Sequence, residues 1–540
     1  MINYSPALFA LALSLLTGLP YLKAADTFSN LPPLAVTMRV DLDKPATLIP
    51  ADFEGLSFET SLLLPDASGK RYFDPSNQAL VTLFRTLRIG SLRIGGNMGD
   101  RDFKTAPSES DIDSLFAFAK AAGVKVIYCL RLYDANPTED ARVAKYINGK
   151  YPDLLECFSI GQEPSAYPAE KVDNRRSDER MGAGNERYSY ASYSTNWCRF
   201  RDAVLAAVPD AKFAGPGVHK ETEWPLRFLA DFGKNGHVSL LTAHLYPGGA
   251  GGRVPVPEVG RDRMLSGEFE KTYQSVATLI PEATSRNLHF RLEEANNFFN
   301  GGAKDVSDTY AASLWGLDFL WWWASHGAAG VNFHTGNGVA AGDNFVHCKY
   351  TAYYVTPEGC TVQPLGYGIK AFALGVGGRI VPVSVNTTDP GLRAYASLDD
   401  GALRVTLINR TYGAIARPCN VTLDVPGING PAQSLCLVSP EGNVASKVGI
   451  TLGGASILRD GTWEGKWSPL SSGDKNTLRL LVPPATAMII QVAVDSASRI
   501  SNGPQTVNSG AVASPKQTAG WAWDNDASKS RGVNLGARRL

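Results

Sequence analysis

The fold is most constrained by a repeated alternation of short apolar, strand-like runs with longer segments of helical periodicity. The helical segments include residues 110–122, 193–207, 268–279 and 310–325. The eight strand-like runs are residues 53–58, 91–95, 125–130, 157–160, 212–214, 240–245, 288–294 and 330–333. Eight such units over about 330 residues predict an α/β fold, a (β/α)8 TIM barrel with insertions. A doubly wound sheet is the alternative, but the chain has neither a P-loop nor a convincing dinucleotide-binding glycine pattern.

A second kind of pattern begins near residue 377. Short β-rich runs at residues 380–385, 403–409, 421–425, 434–438 and 487–494 are separated by Gly, Pro and Asn, with no helical segment between them. This spacing predicts a C-terminal antiparallel β-sandwich over residues 377–496, following a barrel over residues 51–376. The alternating strands within residues 26–50 are expected to join the sandwich. Residues 497–540 lack an apolar period and are expected to be disordered.

The first 25 residues resemble a secretory signal peptide. Residues 7–19 are apolar and small residues follow at Ala24 and Ala25, although no Lys or Arg lies in the first six positions. The run is shorter than the roughly 20 residues that span a bilayer, so we expect secretion and no membrane anchor. Asn-x-Ser/Thr triplets, which are glycosylation acceptors or chance occurrences, lie at Asn386, Asn409 and Asn420.

Charge and cysteine content exclude several classes of function. The chain has 52 basic and 52 acidic residues, so it has no overall electrostatic footprint for nucleic acid or an anionic membrane. Its seven cysteines leave at least one unpaired. Proximity makes bridges plausible between Cys348 and Cys360 and between Cys419 and Cys436, although spacing cannot fix connectivity. No Cys/His cluster has zinc spacing, and we expect neither a metal nor a cofactor.

Two glutamates end strand-like runs. In residues 287–302, regular alternation would point Leu288, Phe290 and Leu292 into the barrel, with Glu294 on that side and Glu293 on the other. Far upstream, the run that ends at Gly161 is followed by Gln162 and Glu163. Since chemistry in such barrels is built at the carboxyl ends of the strands, Glu163 and Glu294 are candidate catalytic groups that only tertiary folding can bring together.

Paired carboxyl groups at a barrel mouth are typical of a glycosidase. One donates a proton to the leaving oxygen, and the other attacks or assists at the anomeric carbon. The acid needs a raised pKa, which burial and a neighbouring carboxylate are expected to supply. Taken alone, a glutamate at a strand end is more often a salt-bridge partner or a helix cap.

The segments around these glutamates resemble the heparanase and β-glucuronidase family, glycoside hydrolase family 79, in the family's order. Residues 160–164, Ile-Gly-Gln-Glu-Pro, are similar to its acid/base motif, Gly-Asn-Glu-Pro. Glu294 with Phe299 and Gly301-Gly302 is similar to its nucleophile segment. Further similar segments are residues 92–97, 214–217, 244–247 and 331–334, so the resemblance covers most of the barrel.

The resemblance implies a retaining mechanism in which Glu163 is the acid/base and Glu294 the nucleophile. His244 and Tyr246 would then hold Glu294 ionised by hydrogen bonding, although a satisfied core histidine is an equal interpretation of His244. Other residues expected to contact the sugar are Glu59, Asn97, Gln162, Phe299, Asn332 and His334; singly, Glu59, Asn97 and Asn332 are more often structural.

Two departures from the family pattern bear on specificity. Gln162 stands where related enzymes usually have Asn, and Phe299 stands where members that recognise glucuronate commonly have Tyr. Phe299 cannot donate to a carboxylate. The first hypothesis is a secreted, exo-acting β-glucuronidase that removes terminal glucuronate from polysaccharide or proteoglycan glycans. The alternatives are a glycosidase for a neutral sugar and a carbohydrate-binding barrel without catalysis.

Overall fold

The computed structural model describes residues 31–168, 188–341, 344–387, 389–471 and 476–495. The predicted signal peptide and the predicted disordered tail both lie outside these residues. Within the described residues, no helix combines the length and apolar character needed to cross a bilayer. The apolar segment with three consecutive tryptophans is the buried helix Tyr310–Ser325.

Eight parallel strands close into a barrel, which confirms the predicted fold class. The first strand of the chain, β1 (Leu34–Val40), lies outside it. The barrel strands are β2 (Glu54–Glu59), β3 (Ser91–Gly95), β4 (Lys125–Leu130), β5 (Leu155–Ile160), β6 (Phe213–His219), β7 (Val238–Leu245), β8 (His289–Ala295) and β9 (Gly330–His334). The helices are α1 (Gln78–Thr86), α2 (Glu109–Ala122), α3 (Pro137–Lys150), α4 (Tyr190–Ala207), α5 (Glu223–Phe232), α6 (Pro257–Leu265), α7 (Glu270–Ala277), α8 (Leu279–Thr284), α9 (Tyr310–Ser325) and α10 (Pro364–Gly375).

Local sequence explains where the barrel elements begin and end. The strands β2, β3 and β9 are buried at every position, and in each of them apolar residues alternate with polar residues or glycine. Helix α2 starts with a capping box between Ser108 and Asp111 and stops at Gly123, whose φ of 80° is left-handed. Helix α1 is capped by the side chain of Asn77, which accepts from the Leu80 N–H.

The remaining strands form two small hairpins and a two-sheet domain. The hairpins are β10 (Gly338–Ala341) with β11 (Asn344–His347) and β12 (Tyr353–Thr356) with β13 (Gly359–Val362). The two-sheet domain contains β14 (Arg379–Val381), β15 (Val383–Val385), β16 (Leu392–Asp399), β17 (Ala402–Asn409), β18 (Cys419–Asp424), β19 (Ile428–Val438), β20 (Thr451–Leu452), β21 (Ser468–Leu470), β22 (Thr477–Val482) and β23 (Thr486–Val494).

The two sheets share one apolar core, so the domain is a sandwich. One sheet has the order β15-β1-β18-β22, and the other has β14-β16-β17-β23-β19-β20, with β21 also paired to β19. The chain changes sheets at Pro382, which separates β14 from β15. Pairing is antiparallel except between β1 and β18, which run parallel. This parallel pair was not predicted, and it arises because a strand from before the barrel enters a sheet made after it.

Helix α9 connects the barrel to the sandwich. Trp323 packs on Phe290 of β8, with ring centroids 5.9 Å apart, and Trp321 stacks on Tyr395 of the sandwich at 5.5 Å. Asp318, in the same helix, accepts hydrogen bonds of 2.7 Å from Tyr395 and from Arg410. The helix is therefore apolar on nearly all sides because protein covers it on all of them.

The proposed disulfide pairs are wrong: all seven cysteines lie in described parts of the chain and are free thiols. Cys348 belongs to an apolar cluster around Tyr246, whereas Cys360 packs in the main core. Cys419 lies opposite Val482 in one sheet of the sandwich, and Cys436 lies opposite Met488 in the other. Closeness along the chain did not place these thiols together.

Of the three glycosylation triplets that follow residue 380, one is inaccessible. Asn409 is fully buried, and its amide donates to the carbonyls of Arg417 and Val482. Asn386 and Asn420 lie in exposed or half-exposed parts of the sandwich. A glycan on Asn409 is incompatible with the folded sandwich.

A buried carboxyl at the start of β2 makes stability depend on pH. Burial outweighs the nearby charge of Arg88 and raises the pKa of Glu54 from 4.5 to about 7; its Oε1 has no hydrogen-bond partner among the described residues. The folded state therefore keeps a proton that the unfolded state loses between these two values. A raised folded pKa in an acid means that the free energy of unfolding falls as pH rises through that window.

We expect Glu54→Gln to gain stability relative to the wild type as pH rises. The gain between pH 5 and pH 8 should be about 3 kcal/mol, since the amide cannot ionise. Urea unfolding of both proteins at the two pH values measures it, and the difference cancels the other titrating groups. Parallel stability curves for the two proteins would contradict a raised pKa at Glu54.

Candidate active site

The carboxyl ends of the barrel strands bring the two candidate glutamates together. Glu163 follows β5 and Glu294 lies near the end of β8. One carboxylate oxygen of each and one ring nitrogen of His244 all lie within 4.8 Å of one another. Two residues 131 positions apart in sequence therefore form a single polar centre at the barrel mouth.

Glu294 is held by three donors. Its Oε2 accepts from Arg93 Nη1 at 2.8 Å and from Gln162 Nε2 at 3.0 Å, and its Oε1 accepts from the Tyr246 hydroxyl at 2.9 Å. Burial raises the pKa of Glu294, but the positive charges of His334, His244 and Arg93 outweigh it and hold the pKa far below its ordinary value. Glu294 is therefore a fixed carboxylate anion.

Glu163 has a different environment. Its Oε1 faces His244 Nδ1 at 3.1 Å, and its Oε2 lies 3.5 Å from an Arg101 nitrogen. Burial and the charge of Glu294 raise its pKa, but the hydrogen bond and the charge of His244 outweigh them, so the pKa is lowered. The expectation of a raised pKa is wrong for the free protein, because it took no account of His244.

The backbone at Glu163 is strained. Its φ of 46° and ψ of 56° lie in the left-handed region, which non-glycine residues seldom adopt and which the following proline disfavours further. Asp100 holds this loop: its Oδ2 accepts from the Gln162 N–H at 2.8 Å and from the Tyr167 hydroxyl, and its Oδ1 accepts from two further backbone N–H groups, those of Leu132 and Tyr133. Strain of this kind concentrates at functional sites.

His244 lies among three carboxylates. Besides the contact with Glu163, its Nε2 lies 3.6 Å from Glu293 Oε1, and its Nδ1 lies 3.9 Å from Glu294 Oε2. Burial lowers the pKa of His244, but the three negative charges outweigh burial and raise the pKa to about 9. His244 is therefore no neutral core histidine; it is an imidazolium at neutral pH.

Two further sets of side chains line the barrel mouth. On one side, Glu59 accepts from the Met98 N–H and lies 3.6 Å from His334, whose Nδ1 is 3.1 Å from the Ser57 hydroxyl. On the other side, the half-buried Phe299 lies edge-on to Tyr246 and to His219, with centroids 6.2 and 5.8 Å apart. The centre is thus bounded by one polar side and one aromatic side.

Glu163, His244 and Glu294 lie close enough together to hold a metal ion. One imidazole and two carboxylates are donors that a divalent cation accepts. A cation would have to compete with the buried Arg93 guanidinium for Glu294.

Comparison with known proteins shows which glycosidases this chain resembles. The family model for "Glycosyl hydrolase family 79, N-terminal domain" matches residues 108–321. A β-glucuronidase of Aspergillus niger is 22% identical over 375 residues, which cover 63% of this chain and 67% of that protein. The chain is a glycoside hydrolase that resembles family 79 over the matched residues. This confirms the resemblance read from the sequence.

Solved structures show that this glycoside hydrolase shares its fold with other glycosidases. A 4-O-α-L-rhamnosyl-β-D-glucuronidase from Fusarium oxysporum 12S, in complex with Rha-GlcA, has a TM-score of 0.65 and 18% identity over 84% of this chain and 99% of that one. An α-L-arabinofuranosidase from Thermotoga maritima, in complex with arabinose, has a TM-score of 0.61 and 14% identity over 85% and 100%. At these identities the likeness concerns the fold.

The structure places one predicted site residue of this glycoside hydrolase away from the barrel mouth. Asn332 lies inside the barrel opposite Gly55, near the start of β2, and not at a strand end. Its amide donates to Leu56 O and to the Ser91 hydroxyl, while its oxygen accepts from Arg291. Asn332 is fully buried and engaged, so the prediction that it meets sugar is wrong. Asn97 lies at the mouth, where its side-chain oxygen accepts from Arg101.

The alternation assumed for β8 is also wrong. Phe290 packs outward on Trp323 of α9, while Arg291 points inward to Asn332. The pairing with β7 skips one residue: Ala243 lies opposite Leu292 and His244 lies opposite Glu294. This irregularity brings Glu294 to the same side as Glu293, so both adjacent glutamates face the barrel interior.

Arg93 and Glu293 are the main site residues that sequence reasoning missed. A signal existed for Arg93, since an arginine inside an apolar strand needs a buried partner. Its side chain is fully buried and bridges Glu294 and Gln162. Glu293 was missed because β8 was assigned the opposite phase, with Phe290 inward, whereas Phe290 packs outward on α9.

Proposed function

We propose that this glycoside hydrolase is a secreted, retaining β-glucuronidase with Glu294 as nucleophile and Glu163 as acid/base. The observation that carries the mechanism is the close approach of the two carboxylates, with oxygens within 4.8 Å. Retaining glycosidases separate these groups by about 5 to 5.5 Å, whereas inverting enzymes leave about 6.5 to 9.5 Å for a water molecule. The short separation favours double displacement.

The environments of the two glutamates fit these roles. Glu294 is kept anionic by Arg93, Gln162 and Tyr246, which also aim it, as an attacking carboxylate requires. Attack on the anomeric carbon forms a glycosyl ester of Glu294, while Glu163 gives a proton to the leaving oxygen. Nδ1 of His244, 3.1 Å from Glu163 Oε1, is placed to supply the proton that Glu163 needs.

The second step follows from the first. Ester formation removes the negative charge of Glu294, a charge that raises the pKa of Glu163. The pKa of Glu163 therefore falls when the intermediate forms, which suits a general base that takes a proton from the attacking water. One residue thus acts as acid and then as base.

The names of the relatives support glucuronate as the substrate. The Aspergillus niger relative is a β-glucuronidase, and the Fusarium oxysporum enzyme is a glucuronidase solved with Rha-GlcA. The apolar run over residues 7–19 supports secretion.

One observation favours a neutral sugar as the second candidate. The wall beside Glu294 is an apolar cluster of Tyr246, Val339, Cys348 and Tyr350, with Phe299 and Val346 packed against it. Phe299 offers no hydroxyl to a substrate carboxylate. A β-glucosidase or β-xylosidase would use such a wall without a charged partner.

A panel of aryl β-glucuronide, β-glucoside and β-xyloside separates the candidates. We expect kcat/KM to be highest on the glucuronide, and proton NMR of the first-formed sugar to show the β anomer. Preferred turnover of glucoside or xyloside would support the neutral-sugar enzyme. Binding of all three without hydrolysis would overturn the catalytic proposal, and an α product would overturn retention.

A further inference from the structure

Glu293 is a buried carboxylate that the two-carboxylate mechanism leaves without a role. It is 1% exposed, and its Oε1 accepts from the Thr242 hydroxyl at 2.7 Å. The same oxygen lies 3.6 Å from Nε2 of His244. Burial raises the pKa of Glu293, but His244 and Arg93 outweigh it and lower the pKa, so this group is ionised.

Gly217 leaves room for this contact. A Cβ at that position would lie 2.6 Å from Glu293 Oε1 and 3.4 Å from His244 Nε2. Its φ of 62° is also left-handed. A side chain on β6 would therefore push Glu293 and His244 out of their present arrangement.

Each ring nitrogen of His244 thus faces a different carboxylate. Nδ1 faces Glu163 at 3.1 Å, and Nε2 faces Glu293 at 3.6 Å. A neutral imidazole has one N–H, so its other nitrogen would turn a lone pair towards a carboxylate. With Glu293 fixed by Thr242, the N–H of the neutral ring belongs on Nε2.

We propose that Glu293 is a positioning residue that keeps Nε2 of His244 protonated, so that Nδ1 of His244 and Glu163 share the proton used in catalysis. This inference rests on the proposed roles of Glu163 and Glu294. It extends to a barrel glycosidase the arrangement in which a carboxylate orients a histidine that exchanges a proton with a reacting group.

The proton balance has two forms. In the first, Glu163 is a carboxylate and His244 is an imidazolium with protons on both nitrogens. In the second, the Nδ1 proton has moved to Glu163 Oε1, and neutral His244 keeps its Nε2 proton towards Glu293. Glu163 then gives the proton to the leaving oxygen as the glycosidic bond breaks. When the intermediate is hydrolysed, water returns a proton to the Glu163/His244 pair.

The charged and titratable groups around this relay come from several strands. His244 is faced by Glu163 after β5, by Glu293 and Glu294 from β8 and by His219 from β6. Burial lowers the pKa of His219 to about 4, so this ring is neutral where the enzyme would work. Glu293 is also near Arg93 and near the thiols of Cys129 and Cys157, whose pKa values burial raises.

The test is the pH dependence of kcat/KM in Glu293→Gln. Above the pKa of the pair the shared proton is lost and acid catalysis ends, which gives the alkaline limb. Removing one of the negative charges at His244 should move that limb down by about one pH unit or more. The shift should be clear on a substrate with a poor leaving group and small on a dinitrophenyl glycoside, which needs little acid assistance. Glu54→Gln, another buried carboxylate, is the matched control and should leave the limb in place.

A second readout does not depend on turnover. In protein labelled at histidine, the NMR titration of His244, assigned by its absence in His244→Asn, should have its midpoint near 9 in the wild type and lower in Glu293→Gln. If Glu293→Gln does not fold, Glu293→Asp should shift the midpoint in the same direction by less. An unmoved midpoint and limb in a folded variant would overturn the role of Glu293. If the titration shifts but no glycoside is hydrolysed, the relay stands and the proposed function fails.

Discussion

Replacing Glu294 with glutamine is expected to lower kcat/KM on the preferred aryl glycoside by about 10⁴-fold or more, because an amide cannot form the glycosyl ester. Folding should be retained. The amide oxygen can still accept from Arg93 and Gln162, so the buried guanidinium keeps an acceptor. Circular dichroism and thermal unfolding check this, and Glu54→Gln serves as the control for loss of a buried carboxylate.

A trapping experiment tests the same residue directly. A 2-deoxy-2-fluoro glycoside with a good leaving group should add one glycosyl unit to the wild type, found by mass spectrometry on the peptide that contains Glu294. The variant should add none. A labelled peptide from elsewhere in the chain, or a variant that loses less than ten-fold in kcat/KM, would remove Glu294 from the nucleophile position.

Replacing Glu163 with glutamine is expected to have the second-largest effect, and one that depends on the leaving group. For alkyl or unactivated aryl glycosides, kcat/KM should fall by about 10² to 10⁴-fold, the usual contribution of a general acid. For a dinitrophenyl glycoside it should fall little, while kcat falls because the base of the second step is missing. Azide, which needs no base, should then restore kcat. Equal losses on all leaving groups would contradict the assignment.

The barrel could be predicted from sequence because eight short strand-like runs alternate with segments of helical periodicity. For β6, the predicted strand was shorter than the observed one. Residues 212–214 were expected, but the strand continues to His219 through Gly215, Pro216 and Gly217. Gly and Pro usually mark the end of a strand in a sequence. Here β6 continues through them, and its pairing with β7 contains two register shifts.

The sequence predicted the site residues that lie at strand ends, but it did not predict the directions in which side chains point from the strands. Glu163, Glu294, His244 and Tyr246 meet because parallel strands end at one mouth. Glu293 was assigned to the wrong side because the alternation of β8 has the opposite phase: Arg291 points inward, so Glu293, two residues later, does too. The skipped residue in the pairing with β7 then brings Glu294 to the same side. The lowered pKa of Glu163 was missed for a similar reason, because only the folded structure shows how close His244 lies.

The position of β1 has a consequence for biosynthesis. Thr37 of this strand donates its N–H to Asn386, 349 residues later in the chain, and β1 lies between β15 and β18 in its sheet. During translation β1 stays unpaired until the ribosome has made the whole barrel and the two strands that flank β1 in its sheet. Deleting residues 34–40 to make a shorter catalytic fragment would leave a gap inside a sheet, and the exposed edges of β15 and β18 would be sites for aggregation.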